Sequence, residues 1–357
     1  MTVQNLHKKL EIPQNYSITV GNFKSFTDMD WEDFLSFDRL VEKMISPDRP
    51  YSEELAKKRF LLGYPNQYEE FWLVRYYSKI IGFAFFNVLT EESSSYKENG
   101  HQVRTWLGIH PDHVRKGLGT ILVDILCKRG VEFNKTEILF NTSTISGQKF
   151  MSTFTDKFAL ESAENRLYLK DVNWDNISKW FSDLKEKSPQ TIIETYESIP
   201  DNLIEEFAKV ETAILGDVPF GDLGLKIIIT PENIRKQEKN NNILGYLWLI
   251  KISREPDGRI SGMTDIKFHP SLPTIVHQGL TGVLQEYRGR NLGMLLKTDM
   301  LLTIKERFKE VIYIDTGNAD ENAPMLRINH ELGFKRAHSW KAYKFQIQDL
   351  LNKINNY

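Results

Sequence analysis

Two short runs in this sequence carry the residue types needed to hold an anion. Arg288-Gly289-Arg290-Asn291-Leu292-Gly293 follows an apolar, strand-like stretch ending at Val283 and leads into an apolar run of helical pattern. Arg115-Lys116-Gly117-Leu118-Gly119-Thr120 does the same after Trp106-Leu107-Gly108-Ile109. A helix that begins behind such a loop presents backbone N–H groups without intrahelical partners, and its dipole adds positive potential. Glycine lets a phosphate approach the backbone closely, and each loop adds two cationic side chains. The expected chemistry is binding of a phosphate or pyrophosphate. The dinucleotide fingerprint G-x-G-x-x-G behind a first parallel strand is absent, and so is the Lys-Ser/Thr of a Walker loop.

The two runs belong to a repeat. Gly108 and Gly282, Gly119 and Gly293, Ile138 and Ile312, Thr142 and Thr316, and Met151 and Met325 all stand 174 positions apart. One offset shared by strand, loop, helix and next strand implies two copies of one domain. In the first copy the pattern predicts a strand at 16–20, helices over 30–44 and 52–62, and a hairpin of strands 70–77 and 79–89. A strand ending at Ile109, a helix over 117–133, a strand at 137–140, a helix over 146–157 and a closing strand at 167–169 follow. The second copy starts with a strand at 192–196. Its hairpin, 244–251 and 259–268, turns at Pro256-Asp257-Gly258. The expected organisation is a domain over 1–172, a polar linker over 173–190 and a domain over 191–357. Helix–strand alternation with antiparallel hairpins gives a mixed α/β (α+β) fold and argues against an all-parallel, doubly wound sheet.

The chain has 357 residues, enough for two ordinary domains, and 41% hydrophobic against 26% charged residues, as in a folded globular protein. A formal charge of −2 gives no global pull toward nucleic acid or an anionic membrane. The single cysteine, Cys127, excludes an intrachain disulfide and reads as a core residue. The N-terminal run has no apolar signal region, and no stretch nears the ~20 apolar residues of a membrane span. These features predict a cytoplasmic protein with neither nucleic-acid nor membrane partners and no metal.

The order hairpin, strand, R/Q-x-x-G-x-G/A loop, helix, strand, and helix ending in Leu-Gly-Phe resembles the GNAT superfamily of N-acetyltransferases. In the second copy Arg288 and Gly293 stand at the first and last motif positions, and Asn318, Asn322, Met325 and Asn329 lead to Leu332-Gly333-Phe334. This copy is similar to a GNAT subgroup with a D-x-P-x-G-D element (Asp217, Pro219, Gly221, Asp222), a Q-x-x-T-x-V strand (Gln278, Thr281, Val283) and an N-x-x-M-x-x-x-N helix. The resemblance spans nearly all of 192–347 and, more weakly, 16–170. It implies two tandem acyl-CoA N-acyltransferase domains, each a mostly antiparallel twisted sheet flanked by helices.

For the site, the resemblance implies acetyl-CoA with its pyrophosphate on Arg288, Gly289, Arg290, Asn291, Leu292 and Gly293. The first copy would use Arg115, Lys116, Gly117, Leu118, Gly119 and Thr120. The pantetheine arm would run along Thr281, Gly282 and Val283, or along Ile109, with Asn318 and Asn322 also toward the cofactor. A primary amine of a small molecule or peptide would attack the thioester directly in a ternary complex, the second copy being the expected catalyst. Bringing both reactants together lowers the entropic barrier, and backbone N–H groups near Val283 would stabilise the oxyanion. The protein would be a monomer or homodimer. The alternatives are a non-catalytic acyl-CoA-binding or regulatory protein, and a transferase similar to mycothiol synthase. Both copies depart from the family pattern. Asn291 replaces the first motif glycine in one loop, and Val114 the R/Q position in the other. The tyrosine that many members place four residues before the Leu-Gly-Phe glycine is Asn329 in the second copy and Thr153 or Thr155 in the first.

Candidate residues for the remaining roles have plainer readings beside them. Glu211, Asp217 and Asp222 would attract an amine, with Gln278 beside them, or serve as helix caps and turn residues. Asp265 stands where the first copy has Phe85 and is a candidate general base or a solvated strand residue. His277 is a further candidate base. Asn329 would lie beside the leaving thiolate, and Asn322 equally fits a helix cap.

Overall fold

A computed structural model describes residues 11–356. Residues 1–10 and 357, at the outer ends of the two expected domains, lie outside it. The chain runs β1 (Tyr16–Gly21), α1 (Asp28–Ile45), α2 (Glu53–Leu62), β2 (Gln67–Tyr76), β3 (Lys79–Leu89), α3 (Tyr96–Asn99), β4 (Gln102–Ile109), α4 (Leu118–Glu132), β5 (Glu137–Thr142), α5 (Ile145–Met151) and β6 (Leu160–Tyr168). It continues with α6 (Trp174–Lys187), β7 (Ile192–Tyr196), α7 (Ile204–Gly216), α8 (Pro231–Leu244), β8 (Leu247–Arg254), β9 (Ile260–Phe268), β10 (Ile275–Val283), α9 (Leu292–Arg307), β11 (Tyr313–Ala319), α10 (Ala323–Leu332), β12 (Lys335–Gln346) and α11 (Ile347–Asn355).

Two compact units form, and each takes its last strand from the other repeat. The first comprises the chain up to Leu160 together with Asp222–Leu225 and the stretch from Trp340 onward. Its strands pair β1–β2–β3–β4–β5–β12, with only β4–β5 parallel. The second comprises Glu161–Gly221 and Lys226–Ser339. Its strands pair β6–β11–β10–β9–β8–β7, with only β10–β11 parallel. An unpaired β5 or β11 would leave a row of open backbone groups, so each needs a closing strand. The stretch 173–190, read from its polarity as a linker, forms α6. Asn173 caps it, and its buried Ile177 and Leu184 belong to the same core as α9.

Each sheet has a core on both faces. In the first unit, α1 and α2 cover an aromatic cluster that includes Phe23, Trp31, Phe34, Phe37, Phe71 and Phe83. On the other face α4 and α11 pack over Val103, Ile138 and Phe140. In the second unit α7 and α8 cover Trp248, Ile250, Ile252 and Met263. There α6 and α9 cover Leu249, Ile266, Val276 and Ile314. The helix expected over 146–157 stops at Met151, and the strand expected at 167–169 begins already at Leu160. Thr153 Oγ1 donates to Phe150 O and Thr155 Oγ1 accepts from Lys157 N–H, so local side-chain bonds replace the helical ladder. The strand expected to begin at Leu244 begins at Leu247, because Leu244 is the last residue of α8 and Gly245 closes that helix with φ 86°.

The exchange gives a test. Leu350 of α11 is 1% exposed in the first unit's core. Leu350→Ala is expected to cost about 2–5 kcal/mol. Hydrogen exchange should speed up in α4 rather than in α9, although Leu350 follows the second repeat in the chain.

Candidate active site

Both loops have the same backbone. Arg115 (φ 64°) and Gly117 (φ 79°) are left-handed in the first unit, as are Gly289 (φ 81°) and Asn291 (φ 58°) at the equivalent positions of the second. Asn291 therefore does what a glycine does here, since asparagine tolerates this region better than most side chains. Side-chain oxygens or amides cap α1, α2, α5, α6, α8 and α10. No side chain caps α4 or α9, so their first N–H groups stay open to an anion. Leu118 and Leu292 are buried and anchor the helix starts, and Gly119 packs closely on Phe150, 3.1 Å from where a Cβ would sit. Gly293 is looser, with Ile328 at 3.4 Å. Thr120 lies in the first turn of α4 and is half-buried.

The charges of the two loops are deployed differently. Arg288 donates to Val283 O (3.1 Å) and forms an ion pair with Asp217. Arg290 donates to Glu255 Oε2 (2.8 Å) and Thr191 Oγ1 (2.6 Å). Burial would raise the Glu255 pKa, but the bonds from Arg290, Ser261 and Thr191 outweigh it and hold the carboxyl below its usual range. In the first unit Arg115 is exposed and Lys116 lies 5.8 Å over the Tyr16 ring; neither forms an ion pair among the described residues.

Behind each loop, two parallel strands part. β10 pairs with β11 only over Ile275–His277, and β4 with β5 only over Gln102–Thr105. Thr281, Gly282 and Val283, like Ile109, lie beyond the parting, and their edge is open to an extended ligand with amide groups. Against β9, β10 is bulged between Gln278 and Thr281, while β4 runs in regular register on β3. Asp265 pins the bulge. It is 6% exposed, accepts from Trp248 Nε1 (2.8 Å) and the Leu280 N–H, and lies where any Cβ on Gly279 would come within 2.5 Å of it. Gln278 donates to Thr264 Oγ1 (2.8 Å) and Asp265 O (3.0 Å), and the Thr281 hydroxyl bonds that of Thr264 (2.7 Å). At the parting itself, His277 Nδ1 and Asp315 Oδ1 are 2.6 Å apart.

Glu211, on α7, faces this polar patch. Burial, then the charge of Asp265, pushes its pKa up to about 7, against the opposing pull of Lys267. Burial likewise raises Asp265 and lowers Lys267. The first unit has no such acids at these places. A Cβ on Gly82 would meet Gly108 O at 2.6 Å, and one on Gly262 would meet Gly282 O at 2.7 Å, so the hairpins correspond. Three residues on stand Phe85 and Asp265. Gly108 packs on Phe37 and Gly282 on Ile214; one turn earlier stand Phe34 and Glu211.

The expected acidic group divides. Asp217 pairs with Arg288, and Asp222 belongs to the first unit, where its N–H bonds Ala159 O (2.8 Å). Asn322 caps α10 through Met325 N–H (3.3 Å). Asn318 and Asn329 do meet, Asn329 Nδ2 donating to Asn318 Oδ1 (2.7 Å). Sequence reasoning missed Lys297, 1% exposed on α9, which donates to Asn329 Oδ1 (2.6 Å). Its signal was a lysine on the apolar stripe of α9, four residues past Gly293, where the first copy has Val123. Among the described residues, no group of His, Cys, Asp and Glu is placed to hold a metal ion, and no helix is long and apolar enough to cross a membrane.

The sequence model of the Acetyltransferase (GNAT) family matches residues 25–149, in the repeat whose loop keeps both motif glycines. A tandem GNAT protein from the clavulanic acid biosynthesis pathway superposes with a TM-score of 0.73 at 18% identity, over 93% of this chain and 98% of that one. The chain has the fold of tandem GNAT proteins, and residues 25–149 match the family's sequence model. A GCN5-related N-acetyltransferase from Sphaerobacter thermophilus follows at 0.64, with 15% identity over 94% and 97% of the two chains. Saccharomyces cerevisiae N-myristoyltransferase, solved with bound myristoyl-CoA and inhibitors, gives 0.56 and 11% identity over 95% and 82%. No curated protein matches the sequence. That fold accounts for the parted strands and the uncapped helix start in each unit.

Arg290 ties its loop to Glu255 and Thr191. Arg290→Ala is expected to lower stability by about 2 kcal/mol at pH 7, the partly exposed guanidinium limiting the loss. The Glu255 contribution is present above its unfolded pKa of about 4.3 and is lost as pH falls through its lowered native value. The gap between variant and parent should therefore shrink in thermal melts below pH 4.

Proposed function

We propose that the protein transfers an acetyl group from acetyl-CoA to a primary amine of a small molecule or peptide, with the chemistry in the second unit. The observation that carries this reading is Glu211, a half-buried carboxyl with a pKa near 7, on the sheet face that also holds Asp265 and the β10 bulge. A base tuned to neutrality can take a proton from an amine and hold it without a large penalty. The amine nitrogen attacks the thioester carbon, its surplus proton passes to Glu211, the C–N bond forms, and the C–S bond breaks with its electron pair going to sulfur. Open N–H groups beyond the β10 bulge are suited to the carbonyl oxygen as it gains charge. The uncapped start of α9 and the edge of Thr281–Val283 would hold the cofactor's pyrophosphate and its amide-bearing arm. Asp265, buried and twice hydrogen-bonded, suits holding the bulge better than exchanging protons.

A second reading applies to the first unit. Its loop cations are unpaired and its helix start is open, yet Phe34 and Phe85 stand where the second unit has acids. That combination favours holding an acyl-CoA without transferring its acyl group.

Calorimetry with acetyl-CoA and thiol release over an amine panel test both readings. Two binding sites are expected, one lost in Arg288→Ala and the other in Gly117→Trp, with turnover lost only in the former. Glu211→Gln is expected to lower kcat ~100-fold while leaving both sites intact. In the parent, kcat/KM should rise with pH through about 7 as Glu211 ionises, and this limb should vanish in Glu211→Gln. Unchanged turnover in Glu211→Gln would exclude it as the base.

A further inference from the structure

The buried Lys297 asks for an explanation that packing does not provide. An ammonium taken out of water is costly unless it is paired, and this one has a neutral amide as its hydrogen-bond partner. A methionine would fill the same volume without that cost. Lys297 also lies 5.0 Å over the Phe334 ring, which offsets part of the cost but gives no direction.

The direction comes from hydrogen-bond logic. The Lys297 amine, whose pKa burial lowers to about 7, donates to Asn329 Oδ1 (2.6 Å). Asn329 Nδ2 then points to Asn318 Oδ1 (2.7 Å), which also accepts from Asn165 Nδ2 (3.3 Å). With its oxygen doubly occupied, Asn318 is left with its Nδ2 donors to offer. Asn318 stands on β11 beyond Asp315, in the length that no longer pairs with β10, and it is half-buried while Lys297 and Asn329 are closed off. The chain thus runs from a buried amine to the parted strands.

We propose that Lys297 is a positioning residue that, through Asn329, fixes the amide of Asn318 as a hydrogen-bond donor to the sulfur leaving the thioester. The inference rests on acyl transfer taking place in the second unit. When the C–S bond breaks and its electron pair goes to sulfur, the thiolate is held by the Asn318 N–H and departs, to be protonated by water. The fixed donor lowers the energy of the developing anion without a side-chain acid. The first unit cannot assemble this chain, with Val123 in place of Lys297.

Asn329→Asp separates this role from a structural one. Aspartate accepts from Lys297 as well as or better than asparagine, so the buried lysine stays satisfied, but it cannot donate to Asn318. The expected result is a kcat lower by ~100-fold, with the melting temperature and the acetyl-CoA Kd as in the parent. Lys297→Met should reproduce the kcat loss. Parental kcat in Asn329→Asp would overturn the inference whether or not Lys297→Met folds. No thiol release by the parent over the amine panel would overturn the acyl-transfer reading and this one with it. Release by the parent together with an active Asn329→Asp overturns this one alone.

Discussion

The parting of β10 from β11 is the constraint around which the second unit is arranged. A parallel pair that stops after His277 and Asp315 leaves the rest of β10 with open backbone groups inside a folded protein. Such groups are costly unless water or a ligand pairs them. The bulge at Gly279–Leu280 keeps the strands apart, and the Asp265 carboxylate keeps the bulge. Removing that carboxylate would free the Leu280 N–H and the Trp248 indole at once. Gln278, Thr264 and Thr281 bind the strand to β9 on the other side, so the bulged segment has its ladder bonds on one edge only.

Given that opening, the chemistry divides between the two faces of the sheet. On the α7 face, burial and the charge of Asp265 raise the proton affinity of Glu211, the arrangement a base near neutrality needs. On the α9 and α10 face the amides run back to the buried amine of Lys297. In the proposed reaction, proton uptake and stabilisation of the departing anion are thus served from opposite sides of the opening. The α9 start lies between them in sequence, where Asn291 preserves the left-handed geometry that Gly117 gives its counterpart.

Much of this was legible in the sequence. The offset of 174 positions found the loops, the strands before them and the helices after them, because hydrophobic period and glycine placement survive duplication. The strand exchange was not legible, since β6 and β12 carry similar alternation and nothing local states which β5 or β11 they will join. The roles of Arg288, Arg290 and Asp217 were hidden for another reason. A cationic loop reads as free charge, and only the fold reveals Glu255 and Asp217 beside it. Lys297 was overlooked because a helical stripe with one lysine still reads as a core stripe. Its meaning depends on Asn329 and Asn318, which reach it from α10 and β11.

The exchanged strand also explains why the second unit is not reducible to the second repeat. Asn165, whose amide helps fix the Asn318 oxygen, lies on β6 and so comes from the first repeat. Arg166, next to it, forms an ion pair with Glu164 that is almost wholly buried and stacks 4.5 Å over Tyr313 of β11. A buried pair of this kind gives uncertain net stability but fixes register, since slipping β6 by one residue would turn both charges to the other face. The register of a strand from one repeat therefore sets the amide geometry of the other. Phe34, Phe85 and Val123 mark the first unit as the one in which apolar packing holds the positions that charges take in the second. Duplication supplied two equivalent backbones. Three replacements, the half-buried Glu211 and the buried Asp265 and Lys297, distinguish the unit proposed to transfer the acyl group from its counterpart.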